Sequence, residues 1–203
     1  VMISGRDITS SKKKEEEADT SIERTEQAVN LIETLIQEFR FMDFDREIDL
    51  KSVTSQVVRD MSDSSSSNPA YIFAGLENEE RMIEGYVIEK RFGEFREVSE
   101  KLVIHPRKFK NILHDGKKPS FANWEDEAGD ISVFQRRFPE EITTCISPIS
   151  NYAAYRITGN KQGMLIAFNY ASPVQEFNGE ILKVLALITG ALFSIQSRFV
   201  EKE

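Results

Sequence analysis

Cysteine is almost missing from these 203 residues, with Cys145 standing alone. An internal disulfide is therefore impossible, and so is a cysteine-based zinc cluster. That fits a reducing compartment, and the expected location is cytoplasmic. Histidine is nearly as scarce, with only His105 and His114. A haem or metal role would need both to converge with further ligands, so no metal site and no cofactor are expected. Long apolar runs are absent as well. The uncharged stretch between Lys183 and Arg198 is shorter than the roughly 20 residues a membrane span needs, so no membrane insertion is expected. The opening VMISGRDITSSKKKEEE has no apolar segment like that of a secretory signal. Excess positive charge is lacking too. A net charge of −8 argues against a general nucleic-acid binder, because phosphate contacts require a basic surface. The sequence also has no Ser-His-Asp order, no Gly-rich phosphate loop and no nucleophile elbow, and no catalytic residue is assigned.

What remains is 40% hydrophobic and 30% charged, ordinary for one globular domain with appendages. Residues 1–19 are polar and read as a disordered lead-in. Thr20 with Glu23 resembles a capping box. Beyond it Ile22, Val29 and Ile36 recur every seven residues, with Ile32 and Phe39 offset by three. Such a heptad pattern over residues 20–44 is too short for a stable coiled coil alone, yet long enough to pair with a partner. Asp49 caps a second expected helix to residue 61 that carries Leu50, Val53, Val57 and Met61 on one face. A serine run, 62–67, then forms a connection.

A core domain over 45–177 follows. AYIFAGL (70–76) and MIEGYVIE (82–89) predict a hairpin. Residues 90–104 show no clear pattern. His105-Pro106 opens a short helix bearing Phe109, Ile112 and Leu113, and KKPSFAN (117–123) leads into a short strand. Asp130 caps another short helix with Ile131, Phe134 and Phe138 inward, ended by Pro139. TTCISPIS (143–150) and NYAAYRIT (151–158) are strand-like, and GMLIAFNY (163–170) is the strongest strand signal. A last helix, expected to start at Asn178 with Phe177 and Leu182 as a hydrophobic staple, fills 178–203. It has two apolar stripes. One holds Ile181, Leu185, Ile188, Leu192, Ile195 and Phe199, and the other Val184, Leu187, Ala191 and Ser194. One stripe can cover a sheet, which leaves the other for a second chain.

Three local texts, DGKKPSFAN (115–123), FPEEITTCISPIS (138–150) and GMLIAFNYASPVQEFNGEILKVLALIT (163–189), stand in an order of elements that resembles a GAF domain. A PAS-type sensor shares part of that order but lacks the long hairpin feeding a final helix. The resemblance covers roughly 45–195 and is one of pattern. It implies an α/β (α+β) fold with an antiparallel sheet of five or six strands and helices on both sides. The terminal helices would lie on one face and a cap, Phe95 to Arg137, on the other. It further implies a sensory or regulatory module that binds a small molecule between sheet and cap and dimerises through its outer helices. The nucleotide-binding signature of cyclic-nucleotide members is incomplete here. Asn169-Tyr170 and Phe177-Asn178-Gly179-Glu180 lack the Lys and the Asp-Glu pair, which argues against cyclic nucleotides. Cys145 falls in an expected strand rather than the cap, against a covalent bilin.

Within that frame Phe73, Tyr86, Phe109, Trp124, Asp126, Phe134 and Tyr155 are candidates to line a pocket for an unidentified small molecule. Ile22, Val29, Ile32, Ile36 and Phe39, with Leu185, Ile188, Leu192, Ile195 and Phe199, are candidates for a homodimer interface. Arg107, Lys108, Lys110, Lys117 and Lys118 make a basic patch on an acidic chain that could attract an anion, or serve only as a solvated face. Glu125, Asp126, Glu127 and Asp130 lack the spacing of a Ca²⁺ loop and suit the first turn of the next helix better. The leading expectation is a regulatory sensor that relays ligand binding to an effector domain. Its rivals are a ligand-free dimerisation scaffold and a small enzyme using Cys145 or the acidic cluster.

Overall fold

The computed structural model describes Lys12 and residues 69–91, 94–113, 118–127, 129–159 and 162–200, with backbone alone at 94–95, 127, 192 and 195–200. The chain divides into Val1–Phe41 and Met42–Glu203, and everything described except Lys12 belongs to the second unit. The expected helices at 20–44 and 49–61, with Ile22, Val29, Ile32, Ile36 and Phe39, lie outside the described residues.

Among the described residues seven strands form one antiparallel sheet. In chain order they are β1 (Pro69–Glu77), β2 (Ile83–Arg91), β3 (Glu94–Glu97), β4 (Leu102–Ile104), β5 (Ser120–Asn123), β6 (Asn151–Ile157) and β7 (Gly163–Tyr170). The spatial order is β3-β2-β1-β7-β6-β5, with β4 also paired to β2. The expected hairpin is present, with Phe73 opposite Val87. The sheet exceeds the expected five or six strands because 90–104, patternless in sequence, supplies two short ones. Successive parts of β2 pair with β3 and β4. Where the chain leaves one ladder for the other, the Ser99 hydroxyl accepts from the Val87 N–H at 3.0 Å, so a side chain completes the ladder. A polar residue filling a buried backbone gap leaves no apolar alternation to read.

The central strands are apolar on both faces, as strands covered on both sides must be. Met164, Ile166 and Phe168 of β7 and Tyr152 and Ala154 of β6 face one core cluster. Leu165, Ala167, Ala153 and Tyr155, also buried, point the other way by the period of two. Over that second face lies α4 (Glu176–Val200). The opposite face carries the cap. It comprises a 3-10 helix (Pro106–Phe109), α1 (Trp124–Glu127), α2 (Ile131–Gln135) and α3 (Glu140–Cys145).

Two expectations need correction. Residues 143–150 are not strand: 143–145 are the end of α3, which places Cys145 in the cap, and 146–150 form no regular element. Pro139 precedes the helix, Glu140 and Glu141 stand in its first turn where its dipole favours negative charge, and Ile142 and Ile146 bury one face four residues apart. The last helix begins at Glu176 rather than Asn178. Asn178 does not cap it. Its Oδ1 reaches back to accept from the Gln175 N–H at 2.9 Å, the role of the third residue in a capping box. Phe177 therefore sits inside the first turn and cannot staple from before the cap.

Candidate functional site

The space between sheet and cap is filled. Phe73 of β1 stacks on Phe109 of the 3-10 helix, with centroids 5.8 Å apart. Phe138 meets Tyr152 edge-on at 5.2 Å and Phe168 at 5.7 Å, and Phe134 lies 6.0 Å from Tyr152. Phe73, Phe109, Phe134, Tyr152 and Phe168 are all essentially inaccessible to solvent. Three of the expected pocket residues, Phe73, Phe109 and Phe134, are thus core. Aromatic pairs in this geometry each contribute about 0.5–1.5 kcal/mol beyond burial, so opening this space for a ligand would be costly.

The other candidates disperse. Trp124 packs against the rim of the cluster, half-buried. Asp126 is exposed and accepts from Asn123 Nδ2 at 3.1 Å. Tyr155 and Tyr86 stand on the other sheet face, away from the cap. One residue of offset along a strand decides this, because Ala154 and Val87, their neighbours in sequence, are the ones in the cap-side cluster. Cys145 is half-buried, and its thiol donates to the Glu141 carbonyl at 3.3 Å. Burial pushes the thiol up from its ordinary value, away from the thiolate that a nucleophile requires. His105 acts as a cap, its Nδ1 accepting from the Arg107 N–H at 3.1 Å. His114 lies outside the described residues. Asp130 caps α2 by accepting from the Ser132 N–H at 2.8 Å. Hydrogen bonds from the Ser132 hydroxyl and then its amide hold the Asp130 carboxyl below the usual carboxylate range. Among the described residues no group of three or more His, Cys, Asp or Glu could hold a metal ion.

An open cavity of about 550 Å³ lies elsewhere, at the end of the sheet beside the 3-10 helix. Arg107 lines it from that helix, Lys110 from the position just after it, Arg156 from the end of β6 and Glu77 from the end of β1. Apolar residues line it too, with Pro106 half-buried and Leu113, Ile83, Phe109 and Met164 almost wholly covered. Lys108, from the same basic patch, turns away and pairs with Glu141. Arg156 was hidden from sequence reasoning because it lies 46 positions beyond Lys110 and only the fold brings them together.

One wall of the cavity is the β6–β7 turn, through Thr158, Gly159, Gln162 and Gly163. That turn is pressed onto α4. A Cβ at Gly190 would stand 2.0 Å from the Thr158 carbonyl oxygen, and one at Gly159 would stand 2.5 Å from Ser194 Oγ. Only the lack of side chains lets helix and turn approach so closely. On the sheet side α4 buries Leu182, Leu185, Ala186, Thr189 and Phe193. Leu185, expected at a homodimer interface, is therefore fully covered within its own chain. Its burial follows from a face centred one position away from the expected stripe. Leu187 is 44% exposed, Val184 and Ile188 are half-buried, and Ala191 is exposed. The side chains of Leu192, Ile195 and Phe199 lie outside the described residues. Asn123 fixes the start of α4, its side chain accepting from the Val174 N–H at 2.7 Å and donating to the Val174 carbonyl at 3.1 Å.

No family model and no curated protein matches the sequence. Among solved structures, the crystal structure of the A. aeolicus nlh2 GAF domain in an inactive state matches 85% of this chain and 99% of its own, with a TM-score of 0.56 and 9% sequence identity. The fold is GAF-like. Within this GAF-like fold, the cap interior is closed by aromatic packing and the open cavity stands at the sheet end. No helix among the described residues is long and apolar enough to cross a membrane.

Proposed function

We propose that this chain is a regulatory sensor module of the GAF kind, acting in the cytoplasm and not itself an enzyme. A small molecule enters the cavity at the sheet end, and α4 passes the consequence to a second copy of the chain and on to an effector domain. The observation that carries this reading is the contact of the Thr158–Gly159 wall with Gly190 and Ser194 of α4. A ligand that shifts this wall has no slack to take up before it moves the helix, since packed interfaces do not deform continuously. The stripe of exposed Leu187 and Ala191 with half-buried Val184 and Ile188 supplies the surface through which two copies would meet.

Sedimentation velocity at micromolar concentration tests the assembly. A dimer that Leu187→Glu converts to monomer, with an unchanged melting temperature, supports the reading. A monomeric parent protein removes it. A second reading, a dimerisation scaffold that binds no ligand, is favoured by the filled interior between sheet and cap. A thermal-shift screen against small anions separates the two, because a ligand that binds only the folded state raises the melting point.

A further inference from the structure

The geometry points to an organic phosphate monoester as the ligand of the sheet-end cavity, an inference that rests on reading this cavity as the sensor site. Arg107, Lys110 and Arg156 line it, and none of the three makes an ion pair with a described residue. Glu77 is the one carboxylate among the described residues of the lining, so within that set two positive charges stand unbalanced. A phosphate monoester carries close to two negative charges at neutral pH and offers three strong acceptor oxygens. Two guanidinium groups suit it better than lysines would, because each can donate two parallel hydrogen bonds.

The rest of the lining says what the phosphate is attached to. Apolar residues, the half-buried Pro106 and the buried Leu113 among them, share the lining with the cations, and the volume of about 550 Å³ falls within the range of small-molecule sites. An inorganic anion would leave the accessible apolar part of the lining, such as Pro106, in water. An ester with a compact apolar or aromatic body covers it. Fully charged polyanions fit less well, since Glu77 would face them. The cations come from two parts of the chain, the 3-10 helix and β6, so a bound phosphate would bridge the cap to the strand that leads into the Thr158–Gly159 turn.

Phenyl phosphate is a suitable probe. Calorimetric titration of the full chain at low ionic strength should give saturable one-to-one binding, tighter than that of inorganic phosphate. Arg156→Gln should weaken it at least tenfold. Lys108→Gln, which removes a cation already paired with Glu141, should change it less than twofold. Absence of saturable binding overturns the inference, and so does equal weakening by both substitutions or equal affinity for inorganic phosphate. The assembly reading fails separately. A protein that binds phenyl phosphate in this pattern yet sediments as a monomer keeps the site and loses the dimer.

Discussion

The two spaces beside the cap, one closed and one open, differ in what the same short segment sends into each. His105 to Leu113 contributes Phe109, Ile112 and Leu113 to the core cluster, where Phe109 stacks on Phe73. From the same segment Arg107 and Lys110 face the open cavity. The first space is held by ring contacts that tolerate no charge and leave little free volume. The second holds cations that make no ion pair with a described residue, beside apolar side chains, an arrangement that contributes nothing to stability by itself. Packing explains the first region completely. It does not explain the second, and for that reason function is assigned to the cavity and not to the aromatic interior.

The contrast can be broken most forcefully from the packed side. Phe134→Ala removes a ring that touches both Phe138 and Tyr152 and should cost about 3–5 kcal/mol in denaturant unfolding. A cost near zero would mean that the interior is loose enough to admit a ligand. Gly190→Ala is expected next in size. Its methyl group would be driven into the Thr158 carbonyl, at about 1–3 kcal/mol for overpacking, partly offset by about 1 kcal/mol of helix propensity. Net destabilisation with weaker phenyl phosphate binding is the outcome expected. A net gain in stability would show that helix and turn are not tightly joined. The smallest effect belongs to Arg156→Gln, whose unfolding free energy should stay within about 0.5 kcal/mol of the parent because the side chain is exposed and makes no ion pair with a described residue.

Much of the fold was legible because local signals agreed with the tertiary answer. β1, β2, β6 and β7 announce themselves through β-branched and aromatic runs, and Asp130 caps α2 as its place before Ile131 suggests. The failures have physical causes. Two strands in 94–104 are short and rely on a serine hydroxyl to complete the ladder, so they carry no alternation. Residues 143–145 look strand-like, yet Pro139 and the two acids after it set a helix going. The buried face of α4 was displaced by about one residue, since small residues such as Ala186 and Gly190 lie against the sheet and the β6–β7 turn while the larger Leu187 does not. The expected pocket list grouped aromatics by type, whereas the face on which each one stands depends on strand register that only pairing fixes. Arg107 and Lys110 were visible as part of a basic patch. Their partner Arg156 was not, because nothing in the sequence says that β6 ends beside the 3-10 helix.

The central claim is that a ligand acts at the sheet end while the interior beneath the cap stays shut. Amide and side-chain NMR shifts followed during titration with phenyl phosphate test it directly. Perturbations at Arg107, Lys110, Arg156 and Thr158, continuing into Gly190 and Ser194, are predicted, with the rings of Phe134, Tyr152 and Phe168 unmoved. Shifts centred on those three rings, with the sheet-end residues silent, would contradict the account.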